Sequence, residues 1–242
     1  AGRTNMKQLS ISGDWRENPP VNEIKDFIPL ASLSQMEDLV MVVTELEDLS
    51  FLSGMTGLTR LKLSGTVLTA DLTALKGLTH LKELNLDTYG LQSLSGLEGM
   101  AGRDLSSLKD MTNLRVLRFR ISGYSSYNTD LASLSGLKEL TQLDLENGGF
   151  GPTSGNVEYT SLAPLAGLEN LTSLTIRNSH VSDLTPLSGL KNLRSLTIHN
   201  AGSITDLTPL SALPELTDLS ISATRQQLDT SSLTQVERIR ID

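Results

Sequence analysis

The chain has 242 residues, 38% of them hydrophobic, a formal net charge of -8 and no cysteine. Such a length and apolar fraction allow a sizeable core, while the acidic balance argues against a nucleic-acid partner, which needs a basic face to displace counterions. The missing thiols exclude disulfides, thiolate catalysis and cysteine-ligated zinc, and no apolar run of about 18 residues is present to insert into a membrane.

Leucine dominates the apolar residues and aromatics make up only 4%, a bias that points to repetition. Taken in chain order, ten segments share or approximate the pattern L-x-x-L-x-[LIF]. They are MKQLSI (6–11), MEDLVM (36–41), LTRLKL (58–63), LKELNL (81–86), LRVLRF (114–119), LTQLDL (140–145), LTSLTI (171–176), LRSLTI (193–198), LTDLSI (216–221) and VERIRI (236–241). Their middle apolar residues, from Leu9 to Ile239, are spaced 30, 22, 23, 33, 26, 31, 22, 23 and 20 apart, so the basic period is 22 or 23 and four repeats are long. Alternation within each copy predicts a strand. Upstream of the strands a second ladder recurs every third residue, as in Val181, Leu184, Leu187, Leu190 and Leu193, or Ile24, Phe27, Leu30, Leu33 and Met36. That period suits 3-10 turns better than an α-helix, and Pro29, Pro164, Pro186 and Pro209 sit at one register within it.

VSDLTPLSGLKNLRSLTI (181–198) and ITDLTPLSALPELTDLSI (204–221) resemble the 22-residue bacterial leucine-rich repeats of internalins and related surface proteins. The resemblance implies an α/β-type repeat solenoid, a horseshoe or arc with a parallel concave sheet of about ten strands and mostly 3-10 turns on the convex side. It also implies a cell-surface or secreted bacterial protein. Physical reasoning agrees on the fold: one repeat cannot bury both sides of its layer, and stacking closes a continuous leucine core. The family's asparagine at the turn after the strand is replaced here by Thr66, Tyr89 and Ser179. Residues 1–242 are expected to form one leucine-rich repeat domain. Because strand-like copies stand at both ends and solenoids need caps, the domain is expected to belong to a longer protein with flanking segments.

The extra residues of the long repeats can be located. Eight fall within SGDWRENPPVNE (12–23), four within RISGYSSY (120–127) and nine within ENGGFGPTSGNVEYTSLAPL (146–165), all after a strand. The fourth insertion duplicates the ladder, with Leu94, Leu97 and Met100 followed by Leu105, Leu108 and Met111, and is expected to lengthen the convex side, for example as a short helix. Six of the nine aromatic residues, Trp15, Tyr89, Tyr124, Tyr127, Phe150 and Tyr159, fall after strands, whereas Phe27 and Phe119 sit in core register and Phe51 beside the convex ladder. Aromatics on loops of a rigid scaffold are common binding anchors, so Trp15, Tyr89, Tyr124, Tyr127 and Phe150 are candidate partner contacts.

The outward strand positions form columns. Gln142, Asp144 and Glu146 align with Arg60, Lys62 and Ser64; Glu83, Asn85 and Asp87; Val116, Arg118 and Arg120; Ser173, Thr175 and Arg177; Ser195, Thr197 and His199; and Asp218, Ser220 and Ser222. With strands about 4.8 Å apart, charges of alternating sign can pair laterally. The same columns make Arg118, Arg120, Asp144, Glu146, Arg177 and His199 candidate contacts for a polar partner. The three histidines, His80, His180 and His199, fall at different phases of the repeat, and neither metal-ligand spacing nor a phosphate-cradling glycine loop occurs. Ser195, His199 and Asp218 are too generic in this composition to mark a hydrolase. The expectation is therefore a non-catalytic module without cofactor or metal that binds a protein or glycan. The alternative is a rigid spacer in a multidomain surface protein.

Overall fold

Every one of the ten leucine-patterned copies forms a strand in the computed structural model, which describes residues 5–12, 26–46, 48–68, 72–91, 105–123, 131–148, 161–177, 181–199, 201–222, 224 and 227–242. The strands are Gln8–Ser12 (β1), Asp38–Leu46 (β2), Arg60–Leu68 (β3), Glu83–Leu91 (β4), Val116–Gly123 (β5), Gln142–Gly148 (β6), Ser173–Arg177 (β7), Ser195–Ile198 (β8), Asp218–Ile221 (β9) and Arg238–Ile241 (β10). They lie side by side in sequence order in one all-parallel sheet. The middle residues of the copies face one another across it, Leu143 against Leu174 and Leu174 against Leu196, as the spacing predicts. In β7 Leu174 and Ile176 are buried while Ser173, Thr175 and Arg177 stay partly exposed, which is the period-two pattern of a sheet with one wet face.

Short 3-10 turns return the chain to the next strand. They span Ile28–Ser32, Ser50–Gly54, Leu72–Leu75, Leu105–Leu108, Ala132–Leu134, Ala163–Leu165, Thr185–Gly189 and Thr208–Ala212, and no α-helix occurs among the described residues. The three-residue ladder has a direct cause. Leu187 donates its N–H to Leu184 O, Leu190 to Leu187 O and Leu193 to Leu190 O, each at 2.9 Å. Each leucine of the ladder thus enters the core and closes a turn with the leucine before it. Aspartate opens several turns: Asp48, Asp183, Asp206 and Asp229 accept the N–H two residues ahead at 2.7–2.8 Å. Serine closes three of the same turns, with Ser53, Ser188 and Ser211 donating to the carbonyl three residues back. Pro29, Pro164, Pro186 and Pro209 stand at the start of their turns, where a missing N–H breaks nothing.

The other edge of the sheet carries two polar ladders. Just before the strands, Thr59, Thr141 and Thr172 donate Oγ1 to the carbonyl one repeat back, at Glu37, Arg115 and Thr141, over 2.9–3.0 Å. Asn113, Asn170 and Asn192 donate Nδ2 in the same way to Thr79, Lys138 and Glu169, each at 2.9 Å. An asparagine ladder therefore does exist, at the turn before the strand. Ser179 and the side chains of Thr66 and Tyr89, where the family's asparagine would stand, lie outside the described residues.

The core is one continuous leucine stack. Phe27, Phe51 and Phe119 are buried in it, and the Phe27 and Phe51 rings meet at 5.9 Å between centroids with a 45° tilt. Of the first ladder, Phe27 and Met36 are buried and Leu30 and Leu33 half-buried, while Ile24 lies outside the described residues. In the duplicated ladder Leu105, Leu108 and Met111 are buried in register; Leu94, Leu97 and Met100 lie outside the described residues. The described part of that insertion is a 3-10 turn. Coverage thins at the ends, where Leu9 and Ile11 are half-buried and Ile239 is 37% exposed.

Candidate functional site

Strand alternation and in-register pairing place Arg118, Arg120, Asp144, Glu146, Arg177 and His199 together on the concave face. Arg118 pairs across to Asp144 and Arg120 to Glu146, and Glu146 in turn to Arg177. The charges are spent on one another. Asp144 receives Arg120 Nη2 at 2.6 Å from one side and Arg177 Nη1 at 2.9 Å from the other. Glu146 lies 3.7 Å from Arg120 Nε and 3.4 Å from Arg177 Nη1. Arg118 reaches Glu83 at 3.5 Å. Burial works against the charge on Arg120, but the Asp144 hydrogen bond and the fields of Asp144, Glu146 and Asp87 outweigh it and hold the guanidinium firmly protonated. The lateral pairing expected of the alternating columns is present.

His199 is half-buried, and its Nδ1 lies 2.8 Å from Ser222 Oγ. Burial first, then the Arg177 charge, holds the imidazole below its ordinary value against the opposing pull of Glu146 and Asp144. Asp218 is bonded to Arg238 and Thr217. No hydrogen-bond relay joins Ser195, His199 and Asp218 among the described residues, and no group of three or more metal-ligating side chains is found among them. No helix among them is long and apolar enough to cross a membrane.

One column departs from its expected exposure. Ser64 keeps the outward register but is only 8% exposed, and its hydroxyl has no hydrogen-bond partner among the described residues; it sits between Val42 and Asp87 on the flanking strands. Tyr89 lies within β4, but its side chain is outside the described residues, as are Trp15, Tyr124, Tyr127 and Phe150 entirely. The structure also brings forward two residues that the columns omit. Arg238 and Arg240 of β10 continue the outward rows beside Asp218 and Ser220. Their signal was the alternation in VERIRI, a degenerate copy with arginine at both outward positions.

Stacked parallel strands, 3-10 returns and a leucine core define a leucine-rich repeat protein. A family model described as R13L1/DRL21 LRRs matches residues 105–224, and no curated protein matches the chain. Among solved structures, an internalin (inlF) from Listeria monocytogenes is 27% identical with a TM-score of 0.70, over 91% of this chain and 57% of that one. Internalin C2 (inlC2) from the same species is 25% identical with a TM-score of 0.52, over 88% and 74%. The leucine-rich repeat protein LIC12759 of Leptospira interrogans shares the fold at 15% identity and a TM-score of 0.56, over 89% and 57%. The chain is thus an internalin-like leucine-rich repeat chain that spans 57% of the length of the inlF structure.

Proposed function

We propose that this domain is a non-catalytic module that binds a protein through its concave face and post-strand loops, at the surface of a bacterium or in its secretions. We further propose that it is one domain of a longer protein. The observation that carries the reading is the outward-facing polar surface held in strict register by ten paired strands, a rigid platform from which loops can present anchors. In the sequence Trp15, Tyr124, Tyr127 and Phe150 all fall in insertions that follow a strand. The resemblance to internalins supports the surface location and the protein partner over a glycan. The test is affinity capture on the immobilised chain, followed by titration of each purified binder against wild type and the Tyr124→Ala, Tyr127→Ala, Phe150→Ala triple variant. The triple variant is expected to abolish binding with the circular dichroism spectrum unchanged. Unchanged affinity would remove the loops from the contact.

The spacer reading has one observation in its favour: the central arginines and carboxylates already pair with one another. It predicts that no binder survives purification and that concave substitutions change only stability.

A further inference from the structure

The concave face is divided in its use of charge. Arg60 on β3 pairs with Asp38, Arg118 and Arg120 on β5 with Glu83, Asp144 and Glu146, and Arg177 on β7 with Asp144 and Glu146. Beyond β7 the outward side chains shrink, and a recess opens over β8–β10, lined by Ser195, Thr197, Asp218, Ser220, Arg238 and Arg240. Its floor is low because serine and threonine stand where arginine and glutamate stand further back. Its far wall is the pair of arginines on β10. Arg238 is bonded to Asp218. Arg240 is exposed, and among the described residues it has no hydrogen bond or ion pair, acting on Asp218 only through its field. In a chain of net charge -8, a recess with two guanidinium groups and one carboxylate reverses the local sign.

We propose that this recess binds an extended acidic peptide segment of a partner protein, with a side-chain carboxylate seated on Arg240 and the peptide backbone over the hydroxyl floor. Arg240 offers a planar fork of donors that fits a carboxylate bidentately. Hydroxyls both donate and accept, so Ser195, Thr197 and Ser220 can serve peptide N–H and C=O groups alike. Their small size lets a backbone come close. From β8 to β10 are two strand intervals, roughly 10 Å, about the length of three extended residues. A sugar packs its CH face on aromatic rings, and among the described residues no aromatic lines the recess. This inference rests on the binding-module reading and narrows it to one end of the face and one ligand chemistry.

Fluorescence anisotropy on the whole chain tests it, with a short labelled peptide alternating Ser and Glu, its Gln counterpart, its Lys counterpart and a uronic-acid oligosaccharide as probes. The Glu peptide is expected to bind more tightly than the Gln peptide by on the order of tenfold, the gain of a charge-assisted contact, with the Lys peptide weaker still and the Glu preference shrinking as salt is raised. Arg240→Gln is expected to erase the preference. Ser220→Leu is expected to weaken both peptides by filling the floor, and Lys62→Gln, on the same face outside the recess, to change nothing. Thermal melts of each variant establish that it is folded. Equal affinity for the Glu and Gln peptides, an Arg240→Gln variant that keeps the preference, or oligosaccharide binding without peptide binding each overturns the proposal. A protein partner that needs the aromatic loops but is indifferent to Arg240→Gln overturns it too, while leaving the module reading standing.

Discussion

Asp144 is reached from both sides because β6 lies between β5 and β7, and its carboxylate is only 15% exposed. Asp144→Asn keeps the shape and removes the charge, which leaves two half-buried arginines facing each other across a neutral amide. Exposed ion pairs are worth about 0.2–1 kcal/mol, and breaking a buried one costs about 3–5. The intermediate burial here predicts a loss of about 1–3 kcal/mol, seen as a lower urea midpoint with an unchanged slope. A shift inside experimental error would mean that Glu146 alone holds both arginines. A second residue-level expectation concerns acid. The backbone N–H groups and hydroxyls of Ser50, Thr185, Thr208 and Ser231 hold Asp48, Asp183, Asp206 and Asp229 below their ordinary carboxyl value. The unfolded chain then binds more protons than the folded one in the acid range, so stability falls as pH falls. The contribution is complete above the ordinary value of 3.8 and is lost as pH drops through the depressed folded values. The Asp183→Asn, Asp206→Asn variant, whose amides still accept the turn N–H, is expected to show a flatter decline of melting temperature below that value than wild type. Parallel curves would mean that these carboxyls titrate alike in both states.

Among the elements, the convex turns pack turn against turn, and two glycines in them make opposite predictions. A Cβ on Gly54 would sit 2.8 Å from the Ala31 carbonyl oxygen of the preceding turn, a backbone atom that cannot swing away, whereas a Cβ on Gly77 would meet nothing within 4 Å. Gly54→Ala is expected to cost about 1–3 kcal/mol by prying two turns apart. Gly77→Ala is expected to be neutral or to stabilise by up to about 1 kcal/mol through the unfolded chain. Melts of the two variants check the signs, and equal shifts would remove the packing explanation. The turns and strands were legible in the sequence because each repeated leucine has two duties, core burial and a hydrogen bond three residues back, so its spacing cannot drift. The polar ladders were not. Asn113, Asn170 and Asn192 read as ordinary turn residues, and their acceptors lie 34, 32 and 23 residues earlier. The burial of Ser64 depends on what β2 and β4 place beside it, which alternation alone does not carry. Arg118, Arg120, Asp144, Glu146 and Arg177 were legible as a cluster because parallel register turns sequence period directly into lateral distance. Arg238 and Arg240 escaped for the same reason in reverse, since their copy matches the leucine pattern least.

At the scale of the whole molecule, each layer touches only its neighbours, and stability approximates a sum of layer and interface contributions. Leu174 and Ile239 occupy the same position of the repeat at different depths in the stack. Leu174 is fully buried between Leu143 and Leu196, whereas Ile239 pairs among the described residues with Leu219 alone and is 37% exposed. Leu174→Ala removes packing from three layers and is expected to cost about 2–5 kcal/mol through lost transfer energy and the cavity left behind. Ile239→Ala takes less surface from water and leaves an opening to solvent in place of a cavity, so its cost is expected to stay below about 1 kcal/mol. A one-dimensional stack adds a spatial signature. Weakening β7 uncouples β1–β6 from β8–β10, and the shorter C-terminal block, with fewer interfaces to hold it, is expected to open first. Native-state hydrogen exchange of Leu174→Ala should therefore show protection falling most in β7–β10 while β2–β5 keep near wild-type values, with urea unfolding losing its two-state form. A uniform fall over all ten strands would sink that picture and show the arc to be one cooperative unit. In that case the β8–β10 recess would share the stability of the whole arc, and its ligand would stabilise β2 as much as β9. If the blocks do separate, a peptide seated on Arg240 should raise protection at the C-terminal end alone, by mass action on the block it binds.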